Sequence, residues 1–317
     1  MSLAILGAGA FGTALAIAFA RDGQDIVLWG RDEAVASHMQ TARMSGPNLP
    51  GHQLPDSLRV TSDLSSLDAS ICLLAVPSRS LSTVATKVSD RSESVVACCK
   101  GVDEATGLGP VRTLQIIHPN KTCAMLTGPS FAADVATGLP TALVLACEDE
   151  VASEQLQGEL ARPLLRIYRS TDIIGAELGG ALKNVIALAA GMTLGAGLGD
   201  SARASVISRG FAEMVRYATA KGASLETLQG LSGLGDLVLT CTSEKSRNFT
   251  AGLALGQGRQ PTAGTIEGIF TAQALERDAA SMDLDLPLIA TVSRVVRGQL
   301  DMSGAIATLL ARPVGKE

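Results

Sequence analysis

The sequence predicts an α/β chain in which a doubly wound sheet is followed by an all-helical C-terminal domain. Three observations carry that prediction. Short apolar, β-branched runs alternate with helical patterns through the first 175 residues, as parallel sheets with crossover helices require. A glycine fingerprint, Gly7-Ala8-Gly9-Ala10-Phe11-Gly12, directly follows the first apolar run. From about Ile173 onward the extended runs stop, and helical patterns joined by glycine-rich or polar connections take over. The first region, 1–175, therefore reads as a Rossmann-like dinucleotide-binding domain and the second, 176–317, as a helical substrate-binding domain.

The predicted strands cover 3–6, 25–29, 57–61, 71–75, 94–99, 123–126, 141–146 and 166–169. The predicted helices of the second region cover 176–192, 202–222, 225–228, 246–255, 271–282, 287–297 and 303–310. In the fingerprint, Gly7 permits a tight strand-to-helix turn, Gly9 lets backbone approach a pyrophosphate, and Gly12 lets helix and strand pack closely. The free N–H groups and positive dipole end of the following helix would stabilise the pyrophosphate.

With 317 residues the chain is long enough for two full-sized cores. It has 46% hydrophobic and 18% charged residues, with 33 glycines and 3% aromatics, a composition that excludes a disordered chain. A formal net charge of -5 gives no electrostatic reason to expect nucleic-acid binding. Cys72, Cys98, Cys99, Cys123, Cys147 and Cys241 show no CxxC or Cys/His spacing and read as buried thiols of a reducing compartment. His38, His52 and His118 are too scattered to suggest a metal site, so no metal is expected.

Two segments imitate targeting signals. Residues 1–20 carry no charged side chain but lack a basic n-region and spend their glycines in the fingerprint, so they read as strand plus helix. Residues 178–198 are long enough to span a membrane, yet hold several glycines and no flanking basic cluster. The expectation is a buried helix that turns into a glycine-rich loop, in a soluble, cytoplasmic protein with no membrane span.

Polar punctuation follows five predicted strands: Gly7 to Gly12, Gly30-Arg31-Asp32, Val76-Pro77-Ser78, Lys100-Gly101 and Thr127-Gly128-Pro129-Ser130. Open α/β sheets bind ligands outside the carboxyl ends of their strands, so these turns gather into one candidate site. At the end of the second strand, Arg31 is suited to a 2'-phosphate, which favours NADPH over NAD. Asp32 is either the N-cap of the next helix or a ribose ligand that would preserve NAD use.

Lys183 is the only charge between Glu177 and Asp200, with Gly179, Gly180, Ala187 and Ala190 on its helical face. A buried ammonium needs a carboxylate or an anionic ligand. Either it pairs structurally with Asp236 or another acid, or its proton serves an alkoxide formed by hydride transfer. Asn184 could orient substrate or cap a carbonyl. Asp236 follows Gly233-Leu234-Gly235 and reads as an inward carboxylate or a helix N-cap, and Ser246-Arg247-Asn248 offers a cradle for a phosphate monoester.

With these segments in place, the chain resembles bacterial-type NAD(P)-dependent glycerol-3-phosphate dehydrogenase almost end to end. The resemblance rests on Asn48-Leu49-Pro50-Gly51, Ala75-Val76-Pro77-Ser78, Lys100-Gly101, Gly128-Pro129-Ser130-Phe131-Ala132, Glu177-Leu178-Gly179-Gly180-Ala181-Leu182-Lys183-Asn184-Val185, Gly233-Leu234-Gly235-Asp236-Leu237, Ser246-Arg247-Asn248 and Glu267-Gly268. It implies reversible reduction of dihydroxyacetone phosphate to sn-glycerol 3-phosphate, the precursor of glycerophospholipids. It implies that Lys183 exchanges the proton, that Lys100 contacts substrate and cofactor, and that Asp236 orients Lys183 and a substrate hydroxyl. Gly128 and Ser130 would border the substrate, and Ser246, Arg247 and Asn248 would hold its phosphate. Ala10, Phe11, Arg31, Ala132, Thr265 and Glu267 match cofactor contacts, with Arg247 serving both ligands. The family is often dimeric, so a homodimer is compatible with the resemblance.

Phe249-Thr250 stands where the family commonly has basic residues, Asp134 where a glutamate is usual, and Ser201 where asparagine is common. The alternatives are another two-domain reductase, of the ketopantoate or hydroxyacid type, and a sensor that binds NAD(P)H without turnover. Lys183-Asn184 followed by Ser246-Arg247-Asn248 argues against the first, and retention of Lys100, Lys183 and Asp236 against the second.

Overall fold

The computed structural model describes residues 2–101, 107–261 and 266–311. The chain divides into two compact units, Met1–Glu177 and Leu178–Glu317.

The first unit runs β1 (Leu3–Leu6), α1 (Ala10–Ala20), β2 (Ile26–Trp29), α2 (Glu33–Ala42), β3 (Leu58–Thr61), β4 (Ile71–Leu74), α3 (Leu81–Ala85), β5 (Ser94–Ala97), α4 (Pro110–Ile117), β6 (Thr122–Thr127), α5 (Ala132–Thr137), β7 (Thr141–Ala146), α6 (Glu150–Leu160) and β8 (Leu165–Ser170). Its single sheet has the order β3-β2-β1-β4-β5-β6-β7-β8. The first six positions are parallel, β7 is antiparallel to β6, and β8 is parallel to β7. This is a Rossmann-like sheet, and its order reverses at β1 and β4, where such sheets open a ligand crevice.

Alternate residues of β1 enter opposite cores, Leu3 and Ile5 on one face and Ala4 and Leu6 on the other. With both faces covered, the strands read as continuous apolar runs rather than as alternating ones. Helix α1 is buried from Gly12 to Ala20 and packs on α5, so it has no polar face to betray its ends. At α2 and α6 side chains set the helix start: Asp32 Oδ1 accepts from Val35 N–H, and Asp149 accepts from Val151 and Ala152.

All eight predicted strands form, with ends displaced by a residue or two. Ala75 and Cys98 lie just past β4 and β5, where Ala75 N–H still bonds Leu6 C=O and Cys98 N–H bonds Leu74 C=O before the chain turns away. At α4 a side chain from elsewhere does the capping: Glu177 Oε1 accepts Val111 N–H at 2.7 Å. Burial pushes the Glu177 carboxyl up to about 7, and the Val111 N–H offsets part of that rise.

The second unit is helical: α7 (Ile173–Gly195, its first turn in the first unit), α8 (Gly199–Ala220), α9 (Leu225–Gln229), a π-helical turn (Leu231–Gly235), α10 (Asp236–Cys241), α11 (Arg247–Gly256), α12 (Glu267–Ser281), α13 (Pro287–Val296) and α14 (Met302–Leu310). Leu182, Val185, Ile186 and Leu188 of α7 share a core with Met214 and Tyr217 of α8, Phe249 of α11, Leu275 of α12 and Ile289 of α13. Glu213 of α8 is buried and accepts the Leu288 and Ile289 N–H groups that open α13.

Helix α7 extends three residues beyond the predicted end at 192, where a glycine-rich loop was expected. Gly191 and Gly195 remain helical because α11 lies against them through its own Gly252 and Gly256. A Cβ at Gly191 would stand 2.1 Å from Phe249 O, at Gly195 2.3 Å from Leu253 O, at Gly252 2.0 Å from Leu188 O and at Gly256 2.2 Å from Met192 O. Two i, i+4 glycine pairs thus bring two helix backbones into contact, which no larger residue permits. Helix α7 is also long and apolar enough to cross a membrane, and 83% of its most apolar window is buried inside the structure.

Candidate active site

In the first unit, the fingerprint glycines do three different jobs. Gly7 has φ +126°, and a Cβ there would lie 2.4 Å from Ala75 O at the end of β4. A Cβ at Gly12 would lie 2.0 Å from Gly7 O, so the strand-to-helix turn closes directly on α1. A Cβ at Gly9 would meet nothing within 4 Å, and as N-cap of α1 the glycine offers no side-chain bond to the helix's first N–H groups. An open cradle at an uncapped helix N-terminus fits a dinucleotide pyrophosphate. Ala10 and Phe11 open α1 beside it and are half-buried.

Arg31 is exposed just past β2. Asp32 is committed as the N-cap of α2 at 3.0 Å from Val35 N, which settles one of its two sequence readings. After β5 and β6, Lys100 Nζ donates to Gly128 C=O at 3.4 Å, and Ser130 Oγ donates to the same oxygen at 3.2 Å. Gly128 has φ +132°, and its carbonyl joins the two substrate-side candidates. Ala132 opens α5 and is half-buried. The parallel pairing of β2, β1, β4, β5 and β6 puts all five punctuated turns on one edge of the sheet, as predicted.

In the second unit, Lys183 is 6% exposed and donates to Asp236 Oδ1 and, at 2.9 Å, to Thr240 Oγ1. Asp236 and Thr240 are one helical turn apart on α10, which places both on the side facing the lysine. Asp236 is 1% exposed and is not a cap, because Gly235 occupies that position. Sequence reasoning missed Thr240. Its signal was the i, i+4 spacing from Asp236 in a helix hidden by the glycines before it. Next to it, burial pushes the Cys241 thiol up to about 12, so the cysteine is an inert neighbour.

Asn184 follows Lys183 and bonds side chains rather than a carbonyl. Its Nδ2 donates to Glu267 Oε2 at 3.0 Å, its Oδ1 accepts from Asn248 Nδ2 at 2.9 Å, and Asn248 Oδ1 accepts Gly268 N–H at 2.9 Å. Ser246 is the N-cap of α11, its Oγ accepting Phe249 N–H at 3.2 Å, and Arg247 is exposed in the first turn. Thr265, the remaining cofactor candidate, lies outside the described residues. Among the described residues no three His, Cys, Asp or Glu side chains are grouped to hold a metal.

A dinucleotide-type cradle on a Rossmann-like sheet, with a buried lysine–carboxylate pair in a helical unit, defines the class of two-domain nicotinamide-dependent oxidoreductases. Models of the N-terminal and C-terminal parts of NAD-dependent glycerol-3-phosphate dehydrogenase match residues 2–153 and 172–307. The chain is 52% identical over 318 residues to a glycerol-3-phosphate dehydrogenase (NAD(P)+) of Jannaschia sp. (strain CCS1), covering 100% of both chains. It is also 52% identical, over 320 residues and with the same full coverage, to that of Paracoccus denitrificans (strain Pd 1222). The crystal structure of glycerol-3-phosphate dehydrogenase from Coxiella burnetii superposes with a TM-score of 0.91 at 36% identity, over 98% of this chain and 99% of that one. The chain belongs to the NAD-dependent glycerol-3-phosphate dehydrogenase family.

Proposed function

We propose that this chain reversibly reduces dihydroxyacetone phosphate to sn-glycerol 3-phosphate with NAD(P)H and so feeds glycerophospholipid synthesis. The observation that carries the reading is the buried Lys183 ammonium, held by Asp236 and Thr240 in a chain of this family. When bound, the reduced nicotinamide supplies the hydride that converts the C2 ketone to an alcohol. Lys183 stabilises the oxyanion that develops at that carbonyl and delivers its proton to the oxygen, and the reverse reaction returns the proton to the amine. Asp236 keeps the ammonium oriented and meets a substrate hydroxyl.

Lys100, Gly128 and Ser130 border the substrate, Asn184 binds it beside Lys183, and Ser246, Arg247 and Asn248 hold its phosphate. On the cofactor side, Gly7, Gly9, Gly12, Ala10 and Phe11 cradle the pyrophosphate, and Lys100, Ala132, Arg247 and Thr265 make further contacts. NADPH is the preferred cofactor. Arg31 is exposed and suited to a 2'-phosphate, and Asp32 uses its Oδ1 to cap α2. The six cysteines are all free thiols and buried, which supports a reducing, cytoplasmic setting.

Cofactor oxidation by the purified protein tests the reading directly, with NADPH beside NADH and dihydroxyacetone phosphate beside unphosphorylated dihydroxyacetone. Rapid turnover that requires the phosphate and favours NADPH is expected. Tight NADPH binding without turnover would refute the reaction, and equal rates with both cofactors would refute the preference.

A further inference from the structure

Glu267, Asn184, Asn248 and Gly268 form a closed ring of side chains and backbone: Glu267 and Gly268 adjoin in α12, and three hydrogen bonds connect them through the two asparagines. The two ends of this chain of bonds have fixed polarity. A carboxylate only accepts and a backbone N–H only donates. The amides between them are therefore fixed as well: Asn184 must turn Nδ2 to Glu267 and Oδ1 to Asn248, and Asn248 must turn Nδ2 to Asn184 and Oδ1 to Gly268. Each amide spends one N–H inside the ring. Among the described residues, its second N–H has no protein acceptor, and both amides are buried, at 4% and 8% exposure.

We infer that Glu267 is a positioning residue that sets the polarity of Asn184 and Asn248, so that both present N–H donors to an oxygen of the phosphorylated substrate. This rests on the proposed reaction but gives Glu267 a different task from the cofactor contact that the family resemblance implies. Loss of the acceptor at Glu267 would allow Asn184 to flip and present a carbonyl oxygen to an anion, which repels it. Gly268 closes the ring from the other end. A Cβ there would stand 2.6 Å from Asn184 O and 3.0 Å from Asn248 Oδ1, so alanine forces the first turn of α12 away from both asparagines.

The test compares Glu267→Gln, Glu267→Leu and Gly268→Ala with the wild type. It measures KM for dihydroxyacetone phosphate, kcat, and the Kd of NADPH by fluorescence titration. Wild-type turnover is established first, so that failure of the reaction itself is seen separately. Glutamine can still offer its Oε1 to Asn184 and should leave KM within about threefold of wild type. Leucine and Gly268→Ala should each raise KM by roughly 10- to 100-fold, the worth of hydrogen bonds to a charged group, with NADPH Kd unchanged. A rise in NADPH Kd at Glu267→Leu with unaltered substrate KM would overturn the inference in favour of a cofactor contact. Lower thermal stability with wild-type KM in both Glu267→Leu and Gly268→Ala would overturn it in favour of a purely structural ring.

Discussion

Replacing Lys183 with methionine keeps most of the unbranched side chain and removes its charge and its proton. Two consequences follow, and they separate. For the reaction, a positioned general acid contributes about 10²- to 10⁴-fold, and a donor to the developing oxyanion contributes on the same scale. Lys183 does both, so kcat should fall by at least about 10³-fold, or roughly 4 kcal/mol of barrier. For stability, the change takes the ammonium away from Asp236, which is 1% exposed and accepts from Thr240 Oγ1 at 3.4 Å. Removing one member of a buried pair typically costs about 3–5 kcal/mol. The double variant Lys183→Met/Asp236→Leu removes both charges and should regain most of the stability while remaining inactive.

Single-turnover cofactor oxidation and thermal melts of the single and double variants read the two effects apart, with NADPH binding measured in parallel. Inactivity together with intact NADPH binding would also exclude the sensor that binds cofactor without turnover. A Lys183→Met enzyme within tenfold of wild type would refute the assignment of the proton to this amine. Recovery of turnover in the double variant would refute it too, because stability alone would then explain the loss.

Arg31→Asp should invert cofactor choice, lowering kcat/KM with NADPH by roughly tenfold or more through loss of a charge-assisted phosphate contact, and an unchanged NADPH to NADH ratio would sink that role. Gly252→Ala sets a methyl 2.0 Å from Leu188 O and should destabilise by about 1–3 kcal/mol through overpacking; a melt superimposable on wild type would show that α7 and α11 do not need backbone contact. Glu177 predicts a pH dependence. Its carboxyl stands at about 7 in the fold against an ordinary 4.5, so the folded chain binds that proton more tightly than the unfolded one. Its contribution is therefore present at low pH and is lost as pH rises from about 4.5 to about 7, by roughly 3 kcal/mol. Glu177→Gln should gain stability relative to wild type across that window and level off above it, whereas a constant offset between the two melting curves would contradict the shift.

The sheet was legible because the physics that makes a strand parallel and doubly covered also makes its sequence a continuous apolar run, punctuated where ligands bind. Asp32 shows the limit of that reading. Its identity allowed two roles, and it takes the 3.0 Å bond to Val35 N–H to show the capping one. The end of α7 was misjudged for a related reason. Glycine within an apolar segment is compatible with a loop or with a helix pressed against another backbone, and the difference lies in α11, some sixty residues further along. Asp236 reads from the sequence as an inward carboxylate or a helix N-cap, and the helix that decides between them was hidden behind Gly233 and Gly235, and with it the placement of Thr240 beside Lys183.

Residue type at Asn184 and Asn248, and the family resemblance at Glu267, suggested ligands, and the chain's one-dimensional order offered nothing to say that they are ligands of one another. The bonds span separations of 83 and 64 residues, and they exist because the glycine seam fixes α11 on α7 while Gly268 admits the first turn of α12 beside Asn184. A buried amide is useful to a substrate only if its orientation is decided before the substrate arrives, since an amide free to rotate presents donor and acceptor alike. The ring makes that decision with a carboxylate at one end and a backbone N–H at the other. The small residues that look like filler in the sequence are thus part of the specificity of the site: widen the seam, and the asparagines keep their chemistry but lose the direction in which they offer it.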